Sequence, residues 1–86
     1  MPEVSRFLGI AIRFNYREHN PPHFHAEYNE WMASISIRES SVLQGELPQR
    51  ILALVLEWAS DHRDELMADW ELAAARKALK KIAPLV

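Results

Sequence analysis

Two consecutive prolines, Pro21 and Pro22, lead directly into His23-Phe24-His25. Proline fixes its own φ, and Pro22 keeps Pro21 out of helical dihedrals, so the chain should leave this point extended, as a strand. Successive side chains of a strand face opposite sides. His23 and His25 therefore share one face and Phe24 takes the other. Three of the four histidines, His19, His23 and His25, fall within seven residues. An imidazole pair on one face can perform general acid–base work, bind a metal or grip an anion. The spacing alone is compatible with all three.

The flanking segments supply the rest of a sheet. Between residues 4 and 16 the even positions other than Arg6 are apolar (Val4, Leu8, Ile10, Ile12, Phe14, Tyr16) and the odd ones mostly small or polar, which predicts one first strand. Phe7 breaks this alternation, and Gly9 marks a bulge or a close backbone approach. Residues 23–28 and 31–38 form the second and third strands. Asn29-Glu30 between them suits a two-residue hairpin turn. That turn pairs Tyr28 with Trp31, Ala26 with Ala33 and Phe24 with Ile35 on an apolar face. His23 then stands opposite Ser36, His25 opposite Ser34, and Glu27 opposite Met32 on a polar face. Glu39-Ser40-Ser41 forms another turn, and Val42 to Gly45 a short edge strand.

From Pro48 the period becomes helical. Ile51, Val55, Trp58, His62, Leu66 and Ala73 cluster on one side, widened by Leu52, Leu56, Ala59 and Trp70. His62 reads as a core histidine with a satisfied hydrogen bond or as a support for the site. The expected fold is a single α+β domain over residues 1–86. A small antiparallel sheet of three to four strands (4–46) precedes one long helix (about 48–76) packed on its apolar face. A tail (77–86) follows, as further helix or as extended chain.

Composition narrows the function classes. The 86 residues are 49% apolar and 26% charged and contain no cysteine, which excludes disulfides and thiolate metal sites. The longest unbroken apolar run, Ile51 to Leu56, is far short of a membrane span. Met-Pro-Glu does not begin a secretory signal, so the expected compartment is the cytoplasm. The net charge of −2 is uneven. Six acids stand against two arginines between Pro48 and Glu71. Arg76, Lys77, Lys80 and Lys81 then follow without an acid. This basic stretch reads either as a complement to a helix C-terminus or as a contact for nucleic acid or an acidic partner.

With two glycines there is no phosphate loop, and no nucleophile motif surrounds the serines. The candidate catalytic residues are His19, His23 and His25. Arg13, Arg17, Ser34, Ser36 and Arg38 are candidate substrate-binding residues, since Arg, His and Ser on an open sheet face can hold a phosphodiester and move protons. No cofactor and no metal are assigned. The strand supplies two histidines on one face, and a third ligand would have to come from the Glu18–Asn20 loop. The apolar arc of the helix is wider than a thin sheet covers, and its rim is acidic. Asp69 and Leu72, near the edge of that arc, are the candidate partner-binding residues. The partner would be a basic protein or a second copy of the chain.

Ser5-Arg6-Phe7-x-Gly9-Ile10, Glu18-His19-x-Pro21-Pro22-His23-Phe24-His25, Gly45-x-Leu47-Pro48, Glu57-Trp58, Trp70-Glu71 and Leu79-Lys80-Lys81-Ile82 together resemble domain-of-unknown-function family 4160, a family of small bacterial proteins. The chain departs from that pattern in one place. The family's glycine turn before the Leu-Lys-Lys-Ile tail is replaced by Ala73-Ala74-Ala75-Arg76-Lys77-Ala78. The resemblance implies the toxin-like component of a type II toxin–antitoxin module. Its partner would be a small DNA-binding antitoxin-like protein of domain-of-unknown-function family 2442. The alternatives are a stand-alone histidine-centred module, phosphodiester-cleaving or metal-binding, and an accessory to the DNA-binding neighbour. Nucleic acid is a candidate target, and no membrane is involved.

Overall fold

A computed structural model describes residues 2–16 and 18–86. Five strands form one antiparallel meander, β1 (Glu3–Phe7), β2 (Ile10–Arg13), β3 (His23–Tyr28), β4 (Trp31–Ser36) and β5 (Val42–Glu46), side by side in chain order. Two helices follow, α1 (Gln49–Asp61) and α2 (Arg63–Ala74). The class is α+β as expected. The expected three to four strands are five, however, and the expected single long helix is two.

The extra strand arises where the sequence predicts one continuous strand. Leu8 and Gly9 both take positive φ (52° and 80°) and fold that stretch into a β1–β2 hairpin. Two positive-φ residues give the turn whose twist matches its strands. Phe7 now lies opposite Ile10 and Ser5 opposite Ile12, with a register irregularity between Glu3 and Ser5. Phe7 thus joins Val4, Ile10 and Ile12 in the core, and Leu8 is left 55% exposed at the turn.

The β3–β4 register follows the alternation of the two strands. Tyr28 pairs with Trp31, Ala26 with Ala33, Phe24 with Ile35, His25 with Ser34 and His23 with Ser36. Asn29, at φ 53°, supplies the turn. β5 closes the sheet as an exposed edge. Gly45, at φ +77°, lies so close to the β4 backbone that a Cβ would overlap the carbonyl of Met32.

α1 lays Ile51, Val55, Trp58 and Ala59 on the apolar face of the sheet. Trp58 is fully buried, with ring centres 5.4 Å from Phe7 and 6.1 Å from Phe24. The helix ends at His62, whose φ of −125° breaks the helical path. α2 restarts at once, with Asp64 and Glu65 in its first turn, where acids suit the positive end of a helix. His62 neither lies in the core nor reaches the β3 histidines. It is half-buried, its ring packs at a tilt against Trp58, and Nδ1 lies 2.6 Å from Glu65.

The tail is extended, not helical. Arg76, at φ 57°, ends α2, with Arg76 N–H bonded to Ala73 O and Lys77 N–H to Leu72 O. This is the helix-ending bond pair that glycine usually supports. Ile82 N–H then donates to Val4 O, and Lys81 Nζ to Glu3 O. The last turn of α2 holds no basic residue, so the basic stretch lies beyond the helix, and Lys81 within it reaches β1. Among the described residues no helix is long and apolar enough to cross a membrane.

Candidate functional site

Arg13 on β2, His25 on β3, Ser34 on β4 and Gln44 on β5 form one row across the polar face of the sheet. His23 stands two residues from His25 on the same face, with ring centres 5.2 Å apart. The sequence predicts these histidines to be solvent-facing. They are instead 8% and 9% exposed, because the chain between β2 and β3 folds over them and α2 covers their flank. Trp70 of α2 places its ring 5.2 Å from His23.

The covering loop brings a carboxylate between the two rings. Glu18 Oε1 lies 2.8 Å from His25 Nε2, and Oε2 lies 3.5 Å from His23 Nε2. Asn15 donates its amide to Glu18 Oε1, and its Nδ2 is 3.3 Å from His25 Nε2. The far nitrogens are held as well. His23 Nδ1 is 2.8 Å from the carbonyl of Pro21, and His25 Nδ1 is 3.2 Å from Ser34 Oγ. A carbonyl only accepts, so the proton of that bond resides on His23 Nδ1 and aims Nε2 at Glu18. Burial works against ionisation of Glu18. The hydrogen bonds from Asn15 and His25, and the charges of both histidines, outweigh it and hold the carboxyl below its ordinary value.

The cluster opens into a depression of about 270 Å³ lined by His19, Asn20, Leu43 and Gln44. His19 is exposed at the rim, outside the group formed by Glu18, His23 and His25, whose ligand atoms lie within 4.8 Å of one another. An acceptor-rich cluster of this kind can orient an imidazole for proton transfer or hold a cation.

The other sequence-derived candidates are placed differently. Arg13 sits opposite His25, but Glu27 at 3.2 Å and Glu3 at 3.4 Å engage its guanidinium. Ser34 belongs to the cluster. Ser36 is buried, and its Oγ accepts from Glu39 N–H in the turn, a structural role. Arg38 is exposed beyond the end of β4. Arg17 lies outside the described residues. Leu72 is half-buried on α2, but Asp69 is not on a surface rim. It is 1% exposed, and Oδ1 accepts the backbone N–H of Lys80, so it is unavailable to a partner.

A family model described as "Domain of unknown function (DUF4160)" matches residues 9–71, from the β1–β2 turn into the last third of α2. The chain belongs to this family. The matched region holds every residue of the Glu18–His23–His25 cluster and its supports Asn15, Ser34 and Trp70. No curated protein and no solved structure gave a significant match.

Sequence reasoning found His23, His25 and Ser34. It had no means of finding Asn15 and Trp70. Asn15 reads as a polar position of a continuous strand, and Trp70 as one of many apolar positions on a helix.

Proposed function

We propose that the chain is the toxin-like component of a type II toxin–antitoxin pair, and that its effector chemistry resides at Glu18, His23 and His25. The observation that carries the site assignment is the Glu18 carboxylate set between two imidazoles at the base of an open depression. A half-buried carboxylate that orients an imidazole is a means of moving a proton to or from a reacting oxygen. The class of target is phosphodiester-bearing, approached from the open side beside His19 and Gln44. A sheet face that grips phosphate with Arg13 is not part of this reading, because Glu27 and Glu3 engage that arginine.

The paired role comes from the family resemblance, which associates such chains with a small DNA-binding neighbour. Induced expression of the chain alone should arrest growth of a bacterial host, and co-expression of the neighbouring gene product should relieve it. Glu18→Gln should abolish the arrest while the protein remains folded and expressed at the same level. A wild-type chain without effect on growth, or arrest undiminished by Glu18→Gln, overturns the proposal.

A further inference from the structure

The side chains around Glu18 are arranged as the ligands of a metal ion are. We infer that Glu18, His23 and His25 bind one divalent transition-metal ion, through Nε2 of each histidine and one carboxylate oxygen. This deepens the reading of the cluster as the working site and rests on that assignment, though not on the toxin role.

Three observations carry it. The first is the direction of the lone pairs. With its proton held on Nδ1 by the Pro21 carbonyl at 2.8 Å, neutral His23 presents an unprotonated Nε2 to Glu18 Oε2 at 3.5 Å. Two electron-rich atoms facing each other at a half-buried carboxylate are held by a positive charge between them, either a proton on the imidazole or a bound cation. One cation bound by all three residues supplies it.

The second is the outer support. Pro21 O holds His23, Ser34 Oγ holds His25, and the Asn15 amide holds Glu18. Each candidate ligand thus has a partner that fixes its orientation, as metal-bound histidines and carboxylates characteristically do. An incidental ion pair has no need of this shell.

The third is spacing and access. Metal–ligand bonds of about 2.0–2.2 Å place neighbouring ligand atoms roughly 3.3 Å apart in a tetrahedron. The three residues' ligand atoms lie within 4.8 Å of one another, so small rotamer changes close the site. Three protein ligands leave a coordination position, and it faces the depression beside Gln44. Two imidazoles and a carboxylate suit zinc, iron or manganese better than calcium or magnesium, which prefer oxygen. An ion held this way would polarise a phosphoryl oxygen of a bound target.

The test uses the full chain, stripped with chelator and titrated separately with Zn²⁺ by calorimetry and with Co²⁺ by absorption. One equivalent of each should bind. Co²⁺ should also quench Trp70, whose ring lies 5.2 Å from His23, and Trp70→Phe should remove that quenching without removing binding. Glu18→Gln and His25→Ala should abolish stoichiometric binding, and Ser34→Ala should weaken it by about 10–100-fold. His62→Ala, which removes a different histidine–carboxylate pair, should change nothing. Absence of saturable binding to the folded wild-type chain overturns the inference, whatever the variants do. So does binding that survives both Glu18→Gln and His25→Ala. Metal uptake without growth arrest supports the metal site and removes the toxin reading. Growth arrest that depends on Glu18, in a chain that takes up neither ion, removes the metal site alone.

Discussion

The backbone N–H of Ile82 donates to the carbonyl of Val4 at 2.8 Å, which lays the segment after α2 along the outer edge of β1. That edge would otherwise expose unpaired strand groups. The same segment supplies Ala83 O to the indole N–H of Trp58 and Lys80 N–H to Asp69. The tail is therefore part of the core, and Ile82 is its buried anchor. Ile82→Ala should cost roughly 2–5 kcal/mol, as other large-to-small changes at buried positions do. Removal of residues 78–86 should cost more, because Trp58 and Asp69 both lose a partner. Urea denaturation reads both effects, and a truncated chain as stable as the full one would show the clasp to be superficial.

Phe24 and its neighbours His23 and His25 should separate by the size of their effects on stability. Phe24 is fully buried between sheet and α1, so Phe24→Ala should cost about 3–5 kcal/mol. The histidines are buried on the opposite face and hold hydrogen bonds, so their alanine variants should cost roughly 1–3 kcal/mol. This replaces the near-neutral effect that solvent-facing histidines would have. Thermal melts of the three variants, checked against Glu18→Gln, give the ranking directly.

Two carboxylates should give the stability opposite dependences on pH. Asp69 is held above its ordinary value, chiefly by desolvation, with the Lys80 N–H opposing and the charge of Glu65 adding. Its Oδ2 has no hydrogen-bond partner among the described residues. The folded state then keeps this proton to higher pH than the unfolded state. Stability is therefore lost as pH rises from the ordinary aspartate value through the raised one. Glu3 is held below its ordinary value, chiefly by the hydrogen bond from Arg6. Its contribution is present above the ordinary glutamate value and is lost as pH falls through the depressed one. Asp69→Asn keeps the acceptor for Lys80 and should gain stability over wild type at neutral pH, with the gain shrinking on acidification toward the ordinary aspartate value. Glu3→Gln should lose stability at neutral pH, with the deficit closing below the ordinary glutamate value. Melting temperatures across an acid series test both signs.

At Gly45 and Gly9 the same substitution should have unequal consequences. Both glycines take positive φ, which costs an alanine about 1–2 kcal/mol. A Cβ on Gly9 meets only the ring of Tyr28, at 3.6 Å, which is ordinary contact. On Gly45 it overlaps the backbone carbonyl of Met32, which cannot move without parting β4 from β5. Gly45→Ala should therefore destabilise clearly more than Gly9→Ala. Amide exchange should show the loss concentrated in β5.

The β3–β4 hairpin was legible in the sequence because three signals agree. The prolines set its start, alternation sets its faces, and Asn29-Glu30 sets its register. The β1–β2 hairpin was not, because Leu8 is apolar and fills a place in the alternation of a longer strand while occupying an exposed turn. Phe7 was the trace of the true fold, since it fits only once the chain reverses. The break at His62 hardly disturbs the helical spacing, so only the acids Asp64 and Glu65 hinted at a new start. At the site, strand parity placed both imidazoles on one face but not their burial. That burial comes from Glu18, Asn15 and Trp70, which arrive from a loop without periodicity and from a separate helix. Asp69 was read as rim because an aspartate on a helix is usually solvated. Here the tail returns over it, a contact between distant segments that no local pattern records.

The end of α2 offers a substitution that should stabilise the chain. Arg76 is held at φ 57°, where a side chain with a Cβ is disfavoured by about 1–2 kcal/mol and glycine is not. The strain is retained because the bonds from Arg76 N–H to Ala73 O and from Lys77 N–H to Leu72 O turn the chain back toward β1. Arg76 is exposed and the described residues place no partner on its side chain, so replacement removes no contact. Glycine adds freedom to the unfolded chain, which offsets about 0.4–1 kcal/mol of the relief. Arg76→Gly should therefore raise stability by roughly 0.5–1 kcal/mol. Arg76→Ala, which keeps the Cβ, should not, and a valine there should be worse than either because a β-branched residue tolerates positive φ least. Denaturation midpoints of the three variants decide the matter. Equal values for glycine and alanine would mean that the turn carries no strain for glycine to relieve.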